Sequence, residues 1–202
     1  HDRHDITKKD MEKCLKNLAI ISDSMKNLIK YLKTMNYDLI IISDSNTFLI
    51  ETILKHNGLL EYFLHSETKI FANHAHFDSK GQLKVKPYNL VFHSNTQEKF
   101  HCQQSQYCKA NMCKGQILEN YLKQKMKNEN ILPDQIDLIY IGDGKIDFCA
   151  GTRLFSSNHL FFVRDNMALK KLLQQSNYLK FIIEKICYWK NGDDILNQIL
   201  SK

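Results

Sequence analysis

Two carboxylates four positions apart, Asp143 and Asp147, follow the apolar run Ile139-Tyr140-Ile141, with Gly142 and Gly144 on either side of the first. Flanking glycines permit a tight turn and a close backbone approach. If Asp147 opens the next helix, both carboxylates converge above the strand end. They are then hard oxygen ligands of the kind Mg²⁺ takes beside water and substrate phosphate. A turn in which Asp147 only caps a helix accounts for the spacing equally well. A second polar group, Ser43-Asp44-Ser45-Asn46-Thr47, directly follows Ile40-Ile41-Ile42. Hydroxyls and backbone N–H groups at a helix N-terminus suit an anion. Capping explains one of these residues but not all five. Lys114, at the start of a predicted helix, is a point charge suited to phosphate. Alone it is unremarkable, since most lysines of such a chain are solvated.

These residues need elements that bring them together. Met25, Leu28, Ile29, Leu32 and Met35 recur at helical spacing, with Ser22 or Ser24 as a cap, and the first forty residues read as helical. Asp38 to Ile42 predicts a strand buried on both faces, followed by a polar turn. A helix over 46–56 ends at Asn57-Gly58. A hairpin is expected from 69–72 and 82–85 around Asp78-Ser79-Lys80-Gly81, and then a loop over 92–109. A helix over 114–127 broken by Pro133, a strand over 136–141, a helix over 147–155 and a strand over 159–163 follow. Two helical stretches close the chain, the last near Asp193-Asp194. This alternation predicts an α/β fold with a mainly parallel sheet. Right-handed crossovers gather the carboxyl ends of such strands on one edge, where ligands bind. Ser43 and Asp143 are therefore expected to face one crevice.

The bulk numbers exclude several classes. A chain of 202 residues with 43% hydrophobic content, 7 Gly and 2 Pro is a folded globular protein. Its net charge of +6 is spread as single lysines without a basic block, so a solvated surface is expected and no nucleic-acid partner. No run is long enough to span a bilayer, and no apolar signal segment stands at the N-terminus. No membrane partner and a cytoplasmic location are expected, with the six cysteines reduced. The spacing of His101, Cys102, Cys108 and Cys113 fits no standard pattern of paired zinc ligands, and reduced, partly buried thiols are expected there. His74 and His76 read as surface residues. The chain starts at His1 rather than Met, as a fragment would.

Three segments in order carry a family resemblance: Ile-Ile-Ser-Asp-Ser-Asn-Thr-Phe (41–48), Asn-Met-Cys-Lys (111–114) and Ile-Tyr-Ile-Gly-Asp-Gly-Lys-Ile-Asp-Phe-Cys (139–149). They resemble the phospho-type phosphatases of the haloacid dehalogenase superfamily, which include phosphoethanolamine/phosphocholine phosphatase and pyridoxal phosphate phosphatase. The resemblance implies a Rossmann-like haloacid dehalogenase core over 25–202, with helices flanking a parallel sheet. Residues 1–24 are then the remnant of a small helical cap. It implies that Ser43 hydrogen-bonds the transferring phosphoryl group and that Lys114 neutralises it. Asp143 and Asp147 are implied to hold Mg²⁺. Asp44 is implied to read the substrate's head group, with Ser45, Asn46 and Gly144 lining the substrate. Family chemistry is attack by an aspartate nucleophile followed by hydrolysis of the aspartyl-phosphate, with metal and lysine offsetting charge. The implied substrate is a small phosphorylated metabolite such as pyridoxal phosphate, phosphoethanolamine or phosphocholine.

The chain departs from the family in three places. The family's first motif, Asp-x-Asp-x-Thr after an apolar strand, occurs nowhere in the 202 residues, so the nucleophile and the first strand of the sheet are expected outside them. Ile146 stands where the family has Asn, and Cys102-x5-Cys108-Lys109 replaces Cys-x-x-Cys-Pro. Two readings follow: an N-terminally incomplete active enzyme, or a truncated, catalytically silent relative that binds phosphate or metal.

Overall fold

The helical period over the first forty residues resolves into α1 (Lys8–Leu18) and α2 (Asp23–Thr34). Thr7 and Asp10 form a capping box at the start of α1. Ser22 caps α2, its Oγ accepting the Met25 N–H at 3.4 Å. The computed structural model describes residues 6–64, 70–89, 102, 106–153, 158–175 and 186–201. They belong to two compact units, His1–Glu98 and Lys99–Lys202.

In the first unit, β1 (Ile41–Asn46) leads into α3 (Thr47–His56) and then into β2 (Ile70–Phe77), which lies parallel to β1. The expected hairpin is present: β2 pairs antiparallel with β3 (Leu83–Lys86). Its turn closes where the Asp78 carboxylate accepts the Lys80 and Gln82 N–H groups, both at 2.9 Å. Gly81 takes a φ of +74° there. The unit's core is Ile50, Leu54, Leu59, Phe63 and Ala72. Two expectations need correction. The strand begins at Ile41 and runs on through the polar residues predicted to form a turn. It is also half-buried throughout rather than buried on both faces, because β1 is an edge strand of the sheet β1-β2-β3.

The second unit comprises α4 (Lys114–Glu129), β4 (Leu138–Gly142), α5 (Phe148–Gly151), β5 (His159–Arg164), α6 (Ala168–Gln175), β6 (Ile186–Trp189) and α7 (Gly192–Leu200). The strands β4-β5-β6 are all parallel. The central strand β5 carries the continuous apolar run Leu160-Phe161-Phe162-Val163, all of it buried. Helix α4 ends at Asn130 in the left-handed conformation (φ 53°), before Pro133, which instead opens a single 3-10 turn. The helix expected over 147–155 is a 3-10 turn, Lys145–Asp147, followed by one α-turn in α5; residues 154–157 lie outside the described residues. Strand β6, which precedes the last helix, is not among the expected elements. Four residues, Ile186-Cys187-Tyr188-Trp189, are too few for periodicity to separate strand from helix, and pairing with β5 decides. Most of the loop expected over 92–109, and residues 176–185, also lie outside the described residues.

The α/β class with parallel strands and flanking helices is as expected. The described strands form two three-stranded sheets, with β1 and β4 each at a sheet edge.

Candidate active site

The end of β4 is organised around Asp147, which is 3% exposed. Its Oδ2 accepts the backbone N–H groups of Asp143 (3.2 Å) and Gly144 (3.0 Å). Its Oδ1 accepts Lys114 Nζ and the Tyr140 hydroxyl, both at 2.8 Å. These four donors satisfy both carboxylate oxygens. Asp147 makes no side-chain cap to α5; its carboxylate turns back onto its own loop, where the bond from Gly144 N–H closes the 3-10 turn Lys145–Asp147. A Cβ at Gly142 would stand 2.8 Å from Asp147 Cβ and Cγ, so only glycine admits this approach. Gly144 contributes its N–H with ordinary φ (−95°).

Lys114 is the first residue of α4, and its ion pair with Asp147 is almost dry, the side chains being 12% and 4% exposed. Such a pair holds only when further hydrogen bonds satisfy the remaining lone pairs. Tyr140 and the loop amides supply them. Burial first, and then the Asp147 charge, hold the Tyr140 hydroxyl well above its ordinary pKa, so it remains a donor.

Asp143 differs. Its carbonyl accepts the Leu169 N–H at 3.0 Å near the start of α6, which fixes its backbone. Its carboxylate is about half exposed and faces Arg164 at 3.9 Å, a screened pair worth little. As a ligand for Mg²⁺, the open Asp143 carboxylate therefore fits directly. Asp147 has no spare oxygen in this arrangement and fits as the group that orients the loop and Lys114.

The polar run at the end of β1 belongs to the first unit. Asn46 caps α3, its Oδ1 accepting the Leu49 N–H at 3.1 Å, so capping does explain this one residue. Ser43 Oγ accepts the Ser45 N–H at 3.2 Å, which leaves its own O–H as a donor. Residues 43–45 slip out of register between Ile42 and Asn46. Buried Asn73 on β2 compensates: its Nδ2 donates to the carbonyls of Asp44 (2.7 Å) and Ser45 (3.0 Å). Its Oδ1 accepts the Tyr88 N–H at 2.9 Å. Thr47 Oγ1 takes the Ala75 N–H at 3.0 Å.

The anticipated residues thus fall into two groups. Lys114, Asp143, Gly144 and Asp147 are joined by direct contacts, and Ser43, Asp44, Ser45 and Asn46 form a set in the other unit. Sequence reasoning missed Asn73 and Tyr140. Asn is depleted in strands, so its presence inside an apolar run was a usable signal; Tyr140 reads as an ordinary strand aromatic. It also missed a thiol cluster: the sulfurs of Cys102, Cys108, Cys113 and Cys149 all lie within 4.8 Å of one another. S–H donation from Cys108 and then Cys149 holds the Cys113 thiol down to about 2, and the same contact pushes Cys108 up. His74 and His76 are exposed, as expected; His101 lies outside the described residues.

A family model described as Putative Phosphatase matches residues 1–202. The chain belongs to this phosphatase family. It is 32% identical over 166 residues to "Probable phosphatase phospho1" of Danio rerio, covering 81% of this chain and 53% of that protein. It is 32% identical over 195 residues to "Thiamine phosphate phosphatase-like protein" of Arabidopsis thaliana, covering 95% and 72%. To "Pyridoxal phosphate phosphatase PHOSPHO2" of Mus musculus it is 30% identical over 194 residues, covering 94% and 71%. The chain thus spans from about half to under three quarters of the length of these relatives. The family's haloacid dehalogenase type of core agrees with the parallel strands and flanking helices described above. Among the described residues no helix is long and apolar enough to cross a membrane.

Proposed function

We propose that these residues are the larger part of a magnesium-dependent phosphomonoester hydrolase acting on a small phosphorylated metabolite. The observation that carries the reading is the group at the end of β4, where Asp147 holds Lys114 at 2.8 Å beside the open carboxylate of Asp143. Magnesium on Asp143 would offset charge on the phosphoryl oxygens. Lys114 is held in place by Asp147 at 2.8 Å, and it neutralises the same oxygens. Ser43, with its hydroxyl proton available, is read as a phosphoryl donor. Asp44, with Ser45 and Asn46, is read as the head-group contact, and Gly144 as a further substrate contact.

The nucleophile is read as lying outside the 202 residues, since no Asp-x-Asp-x-Thr occurs within them. Residues 1–24 are read as the end of a helical cap. The names of relatives refer to pyridoxal phosphate and thiamine phosphate. Phosphoethanolamine and phosphocholine suit Asp44 through their cationic amines. The same missing motif favours a second reading, a silent relative that binds phosphate or metal.

The test uses p-nitrophenyl phosphate with Mg²⁺. The 202 residues alone are expected to give no turnover. The protein extended upstream to an Asp-x-Asp-x-Thr is expected to turn over, and Asp143→Ala or Lys114→Ala should lower kcat by about 10²-fold or more. Turnover indifferent to Asp143→Ala sinks the proposal, and an upstream sequence without the motif selects the silent relative.

A further inference from the structure

We propose that Cys102, Cys108, Cys113 and Cys149 form a tetrathiolate zinc site that clamps the start of α4 to the segment following Asp147. Zinc bound by four thiolates at about 2.3 Å sets its ligand sulfurs about 3.8 Å apart in a tetrahedron. Here Cys102 to Cys113 is 3.5 Å, and Cys102 to Cys149, Cys108 to Cys113 and Cys113 to Cys149 are each 3.6 Å. The remaining pairs fall within 4.8 Å, so every sulfur neighbours every other. None of the cysteines is in a disulfide. The sulfurs are too close together to enclose a multi-iron cluster, whose thiolates bind separate irons.

The surroundings are those of a thiolate centre. Lys109 and Met112 form an antiparallel bridge, which places Cys108 and Cys113 at the two ends of one tight turn. Cys113 is the N-cap of α4, and its Sγ accepts the Gln116 N–H at 3.4 Å. That end of a 16-residue helix favours negative charge. Cys149 is fully buried in α5. A Cβ at Gly115 would stand 2.7 Å from both Cys149 Sγ and Arg153 Nε, so the glycine admits the sulfur and the guanidinium together. Arg153 is buried and paired with Glu119, and its cation lies beside the net negative charge that four thiolates leave on a dication. A backbone amide to sulfur and a neighbouring cation are the kind of outer contacts that support metal ligands.

The site is separate from the Asp143 loop but bonded to it through the chain. Cys113 immediately precedes Lys114, and Cys149 is two residues beyond Asp147. A metal on these sulfurs fixes both segments that supply the buried ion pair. The spacing concealed the site because the fourth sulfur arrives from Cys149, 36 residues after Cys113.

Elemental analysis of the purified chain should find about one zinc per chain. Zinc should be lost from Cys108→Ser and from Cys149→Ser, and retained by Cys14→Ser, whose thiol is exposed on α1. Because a ligand variant can fail to fold, the unaltered chain is also stripped and reloaded with Co²⁺. Sulfur-to-cobalt charge-transfer bands, with the intense visible bands of tetrahedral cobalt, are expected. A metal-free folded chain that shows no such bands overturns the proposal. So does a disulfide among the four cysteines in the chain as isolated, and iron in place of zinc overturns the metal assignment.

Discussion

At the end of β4 a single buried carboxylate, Asp147, gathers a lysine, a phenol and two backbone amides, whereas at the end of β1 a buried amide, Asn73, holds a polar run by neutral hydrogen bonds. Both devices keep polar backbone ordered just past a strand, and they differ in what their removal exposes. A neutral amide leaves carbonyls that water can reach when the edge strand relaxes. A carboxylate leaves a cation in a dry site. The β4 end should therefore be the more fragile of the two, and the β1 end the more tolerant.

The largest expected effect tests that ranking directly. Asp147→Ala leaves Lys114 and Tyr140 buried without their acceptor. Removing one partner of a buried ion pair costs about 3–5 kcal/mol. Asp143→Asn, in the same loop but about half exposed, should stay within about 0.5 kcal/mol of the unaltered chain. Urea unfolding of the two variants measures both. A loss at Asp143→Asn as large as that at Asp147→Ala would remove the distinction between an orienting and an open carboxylate.

The same contrast governs what could be read from the sequence. The α/β class was legible because helices with strong periodicity, α2 and α3, and the long apolar run of β5 announce themselves without tertiary help. The boundaries of β1 were not. Ser43 to Asn46 look like a turn in isolation, and their strand geometry depends on β2 lying alongside and on Asn73 replacing a ladder partner. Strand β6 failed for a related reason, since four residues take their conformation from β5 rather than from a period. The site residues at 114, 143 and 147 were legible as residue types, but not their division of labour. Spacing places two carboxylates on one loop. It does not tell that one turns inward to four donors and the other outward, which follows from the Gly142 contact and from Lys114 arriving on α4. The thiol cluster was least legible, because its closure joins positions far apart in sequence.

A middle-sized effect is expected at Asn73. Asn73→Ala strips the Asp44 and Ser45 carbonyls and the Tyr88 N–H of their partners in a buried position. Leaving buried polar groups unsatisfied costs about 1–3 kcal/mol. Asn73→Asp should not restore the loss, since a carboxylate can accept the Tyr88 N–H but cannot donate to the two carbonyls. Thermal unfolding compares the pair. Full stability in Asn73→Asp would show that the polar run at the end of β1 is held by something other than this amide.

The smallest effect separates capping from substrate contact within the β1 group. Asn46 ends the irregular strand and starts α3, its side chain taking the Leu49 N–H. Asn46→Ala should cost about 1 kcal/mol, the usual loss at an N-cap. Asn46→Asp should recover most of it, since a carboxylate oxygen caps as well and adds a favourable charge at the helix N-terminus. Denaturant midpoints resolve differences of that size when the slope of the transition is unchanged. If Asn46→Ala leaves the midpoint where it was, the cap is not what fixes this residue. The hydrogen bond to Leu49 would then be incidental, and the whole Ser43-Asp44-Ser45-Asn46 run would be available to a ligand rather than only its first members.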